Sequence, residues 1–409
     1  MQFLTSGTSS SDMKSHNISA ILRTLLYQEG ISRVHLAQTL GISTATITNL
    51  VGELIQTGLV LEDGIVKSNG QTNVGRPQKA LHIAADARYV LGIHIDVGRV
   101  YLILANLYAQ KIKSWQFAHA LDAPPEQVLD RAIEILRTTL PTLNLAQLIG
   151  VGVAASGLVD SDRGVNVIAP NLAGWHNVPI RDYLMRRLNL PVAVDNNVRA
   201  MALGETLFGV GKQVRAMAFI YARTGVGAGL VVNGELYRGA AAGAGEIGHT
   251  TILPDGGDVC HCGNTGCLET LVSEPAILRL VDSLAQTHPE LKTELTSGQL
   301  SPLDRIFVLA QSRKYLRESL ENRARYMGIA IANLVNIFNP ELIVLGGIFR
   351  REKSLLLPVI EATVRQRAFA GLGEQVRFKV TDFGDDAGMI GAAALALETF
   401  FYRPQIAVM

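Results

Sequence analysis

Every cysteine in this chain falls inside one eight-residue window: Cys260, Cys262 and Cys267. An odd number so closely spaced argues against a disulfide framework and for a metal site. The surrounding run, GEIGHTTILPDGGDVCHCGNTGCLET at 245–270, adds His249 upstream. Three thiolates and one imidazole match a closed Cys3His zinc site. Four protein ligands leave no open position, so the zinc is expected to be structural. Gly256, Gly257, Gly263 and Gly266 let the chain turn sharply enough for the ligands to meet. His261, flanked by cysteines, is expected to point away. The plain alternative is three buried free thiols. A metal here would pin a loop beside Glu246 and Glu269.

The N-terminal part has a different character. Residues 1–13 are rich in Ser, Thr and Gly and are expected to be disordered. From Asn17, the residues Ile18, Ile21, Leu22, Leu25 and Leu26 share one helical face, and Glu29-Gly30 ends it. Ser32 reads as the N-cap of a short helix carrying Val34, Leu36, Ala37 and Leu40, broken by Gly41. Ser43 opens a third helix, 43–56, with Ala45, Ile47, Leu50, Val51, Leu54 and Ile55 as its apolar set. Leu59–Leu61, a turn at Glu62-Asp63-Gly64, and Ile65-Val66 then predict a short hairpin. This order predicts a winged helix-turn-helix over 14–66 whose third helix enters a DNA major groove. Ser43, Thr44, Thr46, Thr48 and Asn49 lead that helix and can bond base edges or phosphates. Lys14, His16, Arg33, Lys67, Arg76 and Lys79 are candidates for phosphate contacts. The module is barely basic, so a small helical protein-interaction module is the alternative. Residues 67–80 read as a linker; Arg76, within Gly75-Arg76-Pro77, either reaches a minor groove or belongs to a plain tether.

Length carries the argument onward. A chain of 409 residues, 48% hydrophobic and of net charge +1, is a soluble globular protein of two or three domains. Among its segments none is an apolar run long enough to span a membrane, and the start MQFLTSGTSSSDMKSHN has no signal-peptide h-region. The expected location is cytoplasmic. From about Leu81 strands alternate with amphipathic helices. The segments VLGIHIDVGRVYLILANL, at 90–107, and AMAFIYARTGVGAGLVV, at 216–232, share a strand–glycine turn–strand plan. This implies a duplicated α/β fold of two lobes around a cleft.

The run RTGVGAGLVVNGELYRGA, followed by GAGEIGH and CHCGNTGCLET, resembles the signature of the ROK family (repressors, open reading frames and kinases) over about 81–400. With the added helix-turn-helix, the chain is similar to the N-acetylglucosamine and xylose repressor branch. The resemblance implies an actin-like ATPase fold, with a small lobe about 81–196 plus a C-terminal helix, and a large lobe about 197–385, inside a unit of 81–409. It also implies a sugar pocket. Asn171, in Pro170-Asn171-Leu172-Ala173-Gly174-Trp175, occupies the place of a family sugar ligand. So do Glu246 and His249 of the GEIGH segment, Glu269 of Cys267-Leu268-Glu269, and Asn196 with Asn197. Carboxylates and amides suit vicinal hydroxyls.

Active kinases of the family carry an aspartate where this chain has Asn197, and an amide cannot serve as general base. The first phosphate-binding turn should resemble Asp-x-Gly-Gly-Thr, but here it is Asp96-Val97-Gly98-Arg99-Val100, in which Arg99 adds bulk. The second, Thr224-Gly225-Val226-Gly227-Ala228-Gly229, stays glycine-rich, and Leu345-Gly346-Gly347 serves an adenosine site or merely a tight turn. No catalytic residue and no bound ATP are expected. The sequence therefore predicts a regulator, a repressor of carbohydrate genes, that binds operator DNA as a homodimer or homotetramer and senses a sugar. A fused sugar kinase, a repressor controlled by a protein partner, and an activator remain open. The absence of a Lys or Arg cluster in the pocket motifs leans towards a neutral sugar.

Overall fold

The computed structural model describes residues 10–65, 78–139, 147–296 and 299–403. It opens with helices α1 (Ser10–Tyr27), α2 (Arg33–Leu40) and α3 (Thr44–Gln56). Local chemistry sets their ends. Ser32 accepts from the His35 N–H, and Gly41 sits left-handed at φ 64°, closing α2. Ser43 Oγ accepts from Thr46 N–H at 3.1 Å and so opens α3. Ile47, Leu50, Val51 and Leu54 bury one face of α3 in a core shared with Leu22, Leu25 and Leu36. Val34 and Ala45, expected among the apolar sets, are exposed. In the short α2 only Leu36 and Ala37 are buried.

Two further expectations change. Residues 10–13 are helical rather than disordered, while residues 1–9 lie outside the described residues. The wing is not a local hairpin. One strand, β1 (Val60–Ile65), runs through the expected turn and pairs antiparallel with β2 (Lys79–Ile83), Val60 opposite Ile83. Ile31 bridges to Leu81. Burial favours this partner, because Ala80, Leu81 and Ile83 all carry side chains into the core. The linker expected to end at residue 80 therefore ends inside a strand.

The first lobe is built on β3 (Tyr89–Asp96), β4 (Arg99–Asn106) and β5 (Lys111–Ala118), an antiparallel meander. Helix α4 (Pro125–Thr139) leads to β6 (Leu148–Ala155), parallel to β3. A small sheet of β7 (Leu158–Asp160), β8 (Val165–Ile168) and β9 (His176–Val178) follows. Helix α5 (Ile180–Leu188) then leads to β10 (Val192–Asn196), parallel to β6.

After α6 (Asn197–Phe208) the plan repeats. Strands β11 (Ala216–Ala222), β12 (Val226–Val232) and β13 (Glu235–Tyr237) form a second antiparallel meander. Helices α7 (Leu268–Val272), α8 (Glu274–Thr287), α9 (Glu290–Thr296), α10 (Pro302–Ala310) and α11 (Lys314–Phe338) follow. Strand β14 (Leu342–Gly347) pairs parallel with β11. Helices α12 (Ile348–Arg351), α13 (Lys353–Arg367) and α14 (Leu372–Gln375) precede β15 (Arg377–Val380), parallel to β14. The orders β10-β6-β3-β4-β5 and β13-β12-β11-β14-β15 are the same arrangement, a three-stranded meander extended by two parallel strands. The duplicated two-lobed α/β fold follows from this.

Helix α15 (Ala387–Leu397) crosses back onto β3, β6 and α6. Its small residues permit a close approach: a Cβ on Gly152 would lie 2.0 Å from the Ala392 carbonyl oxygen. Beyond it, Phe401 and Tyr402 join the core that holds Ile18, Ile21 and Leu25 of α1. The Tyr402 hydroxyl donates to Leu107 O at 2.7 Å, and Arg23 lies 3.4 Å from Glu398. At about 1.5–3 kcal/mol for each large apolar side chain buried, this core seats the N-terminal module on the first lobe. Among the described residues no helix is long and apolar enough to cross a membrane.

Candidate functional site

Residues from both lobes line a cleft of about 500 Å³. Its floor is the β10–α6 junction. Asp195 is wholly buried and is held by Arg199 Nε at 2.6 Å and Arg238 Nε at 2.8 Å. A carboxylate so far from water needs such partners. Asn196 caps α6: its Oδ1 accepts from Val198 N–H and Arg199 N–H, and its Nδ2 donates to Gly157 O at 2.8 Å. Its amide is thus taken up by the fold, although the residue lines the cleft. Asn197, 7% exposed, donates from Nδ2 to Ser156 Oγ at 3.2 Å.

One wall is the loop after β8. Leu172 and Trp175 are buried, and Ala169 N–H bonds Trp175 O at 3.0 Å. The exposed Asn171, just before Leu172, lines the cleft. The opposite wall is the GEIGH segment, whose Ile247–His249 forms a single 3-10 turn. Burial raises the Glu246 carboxyl pKa, against the opposing pull of His249 and Arg199. Glu269, at the start of α7, accepts from Val226 N–H at 2.8 Å through Oε2. Asn171, Asn196, Asn197, Glu246, His249 and Glu269, the sugar candidates of the sequence, all line this cleft.

The metal candidates also converge. The ligand atoms of His249, Cys260, Cys262 and Cys267 lie within 4.8 Å of one another. His249 Nδ1 is 3.6 Å from Cys260 Sγ, and Cys262 Sγ is 3.7 Å from Cys267 Sγ. A tetrahedral zinc with ordinary bond lengths needs about 3.6 Å between nitrogen and sulfur and about 3.8 Å between sulfurs. The donor set therefore fits that ion. Burial, and then the neighbouring thiols, push the Cys267 thiol up to about 12; a bound divalent cation would stabilise the thiolate instead. Gly266, at φ 71°, is required: a Cβ there would lie 1.7 Å from Leu253 O.

His261 does not point away. Its Nδ1 lies 3.2 Å from Glu269 Oε1, and its ring meets that of His249 edge-on at 5.2 Å. It lines the cleft and forms a second possible ligand group with Cys260 and Glu269. The carboxylate of Glu269 draws it inwards.

One residue of the first nucleotide-type turn lies elsewhere than expected. Arg99 does not fill the first turn; its Nη1 reaches across to Gln116 Oε1 at 3.3 Å. The residue that enters the cleft is Arg223, whose guanidinium pairs with Asp96 across the two lobes. The available signal was an arginine directly before Thr224-Gly225, but nothing local named its partner. Gly347, at φ 71° with a notional Cβ 2.0 Å from Ala222 O, serves a tight strand-to-helix turn.

In the N-terminal module, Ser43, the N-cap of α3, is exposed, as are Thr44, Thr48 and Asn49 on the helix, and Thr46 is half-buried. Ser43 and Thr46 bond each other at 2.9 Å, and Thr48 donates to Thr44 O at 2.7 Å. Arg33 is engaged within the module, with Nε 2.7 Å from Glu62 Oε1 and Nη1 donating to Thr48 O at 3.2 Å. Lys14 pairs with Glu53 at 2.7 Å. Lys67 and Arg76 lie outside the described residues.

Comparison with known proteins gives consistent matches. Residues 90–399 match the ROK family. The chain is 31% identical over 400 residues to a xylose repressor of Caldicellulosiruptor bescii, covering 97% of this chain and 98% of that protein. It superposes with a TM-score of 0.82 and 27% identity on the crystal structure of a ROK family transcriptional regulator, a homologue of the E. coli Mlc protein, covering 96% of this chain and 97% of that one. A ROK family glucokinase from Streptomyces griseus, in complex with glucose and AMPPNP, matches with a TM-score of 0.67 and 27% identity over 76% of this chain and all of its own.

Proposed function

This chain belongs to the ROK family, and from that premise we propose that it is a DNA-binding transcriptional regulator, a repressor of carbohydrate-metabolism genes, whose operator affinity is set by a sugar in the inter-lobe cleft. The observation that carries the reading is the convergence of Asn171, Asn197, Glu246, His249 and Glu269 on one cleft. Asn196 shapes the floor rather than contacting the sugar. The repressor name of a relative that spans nearly the whole chain supports the regulatory half.

The cleft binds without turning over. A kinase needs a carboxylate to take the proton from the sugar hydroxyl, and Asn197 offers only an amide. The Asp96–Arg223 pair occupies the cleft where the first and second glycine turns approach each other. A structural zinc on His249, Cys260, Cys262 and Cys267 would hold the loop that presents Glu246 and Glu269. With Nδ1 on the metal side, His249 keeps Nε2 for a sugar hydroxyl.

Helix α3 and the β1–β2 wing read the operator, with Ser43, Thr44, Thr46, Thr48, Asn49 and Arg76 as its contacts. A homodimer matches the two-fold symmetry of a palindromic site. Sugar binding changes the closure of the lobes. The change reaches α1 through α6, α15 and the Glu398–Tyr402 turn, an inference from packing continuity. Gel-shift titration of the protein's upstream DNA with a panel of free sugars tests this. Specific binding released by one sugar is expected, and no specific binding at all would overturn it.

A further inference from the structure

The charge of the cleft also bears on what the cleft admits. Among the described residues, its carboxylates are Asp96, Glu246 and Glu269, and its guanidinium is Arg223. Asp96 ends β3 in one lobe and Arg223 follows β11 in the other; their side chains meet across the cleft as an ion pair. Asp96 is 5% exposed, and its Oδ1 also accepts from Val97 N–H at 2.8 Å, which fixes the carboxylate. Burial is the largest influence and works against the Arg223 cation, but Asp96, then Tyr221, Tyr101 and Glu274, together outweigh it and its pKa is raised. The guanidinium's charge is therefore balanced by Asp96, and the two other carboxylates, Glu246 and Glu269, remain to face a ligand.

We propose that Asp96 is a specificity-determining residue: by holding Arg223 it makes the cleft select an uncharged sugar over the same sugar carrying a phosphate. The inference rests on the sugar reading above and names its ligand class. A phosphate that reached the other N–H groups of Arg223 would meet a cation already balanced by the adjacent Asp96 carboxylate, and one that displaced Asp96 would leave a buried carboxylate without its cation, which is strongly unfavourable. It would also approach Glu246 and Glu269, which repel it. Arg223 released from Asp96 would be well suited to phosphate, since its planar fork matches two phosphate oxygens at once.

The test is calorimetric titration of the full-length, metal-loaded protein with glucose, xylose, glucose 6-phosphate, xylose 5-phosphate and inorganic phosphate. The wild type is compared with Asp96→Asn and with Asp96→Asn combined with Arg223→Gln. Asparagine keeps an acceptor for Val97 N–H, so the turn is retained. The wild type is expected to bind a free sugar at least about tenfold more tightly than its phosphate ester and to show no heat with inorganic phosphate. Asp96→Asn should gain at least about tenfold in affinity for the ester or for phosphate, and Arg223→Gln should remove that gain. A wild type that prefers the ester overturns the inference, as does a folded Asp96→Asn protein that gains nothing. In either case free-sugar binding would leave the sugar reading standing. If neither sugar nor its ester binds the wild type, the sugar reading itself fails, and the inference with it.

Discussion

Replacing Glu269 by glutamine removes one negative charge from the cleft and almost no volume. Glu269 is 8% exposed and uses Oε2 to accept from Val226 N–H at 2.8 Å. The amide oxygen can keep that bond. The amide nitrogen then faces His261, whose Nδ1 lies 3.2 Å from the carboxylate and can accept when its proton sits on Nε2. The fold and the metal loop should therefore survive. What is lost is the charge on a hydrogen bond to a sugar hydroxyl. Such bonds are worth about 1.5–3 kcal/mol with a charged partner and about 0.5–1.5 kcal/mol without one. The difference, about 1–2 kcal/mol, weakens sugar affinity by about 5–30-fold. Glu269→Ala removes the acceptor as well and leaves Val226 N–H buried and unpaired, destabilising the fold by a further ~1–3 kcal/mol. Calorimetry with the inducing sugar, metal content and thermal melting together read these effects. Unchanged sugar affinity in both variants, with metal retained, would refute the placement of Glu269 at the sugar.

Other changes give separate outcomes. Cys260→Ser or Cys267→Ser should abolish stoichiometric zinc, measured by elemental analysis, and loosen the loop bearing Glu246; unchanged zinc content would contradict the site. Arg33→Ala should lower module stability by about 0.5–1 kcal/mol, as for a partly exposed ion pair, without changing the salt dependence of operator binding. A shallower salt slope in filter binding would restore Arg33 as a phosphate contact. Glu205 is wholly buried, and burial raises its carboxyl pKa despite bonds from Thr381 and Val210. The folded state therefore holds its proton more tightly than the unfolded chain. The stability this contributes is present below the ordinary carboxylate pKa and is lost as pH rises through the raised value. In Glu205→Gln the melting temperature should fall less across that range than in the wild type; an identical fall would show that Glu205 does not titrate there.

What the sequence disclosed was what local chemistry decides. Ser32, Gly41 and Ser43 mark helix ends because capping needs only neighbours a few residues away. The cluster of His249, Cys260, Cys262 and Cys267 was legible because soft ligands gather within one short run for few other reasons. The duplicated lobes showed as repeated strand–turn–strand runs. What stayed hidden depends on partners far along the chain. Glu62-Asp63-Gly64 reads as a hairpin turn, yet β1 pairs with β2 because Leu81 and Ile83 bury there. Asn196 has the residue type of a sugar ligand and the position of a helix cap, and the cap accounts for its bonds. His261 turns inwards because Glu269 receives it. Asp96 and Arg223 lie 127 residues apart, and only the folded lobes bring them together. A single arginine neutralised by a carboxylate from the other lobe leaves no cluster of cations in the sequence to mark it.

The central claim is that sugar and operator communicate through one protein. Thermodynamic linkage makes this measurable from either side, because the factor by which sugar weakens operator binding must equal the factor by which operator weakens sugar binding. The measurement is a pair of titrations: operator affinity with and without saturating sugar, and sugar affinity with and without saturating operator. The account predicts equal factors, of about 5–150-fold for a typical coupling, with operator weakened by sugar. Specific operator binding and tight sugar binding with no coupling in either direction would contradict it.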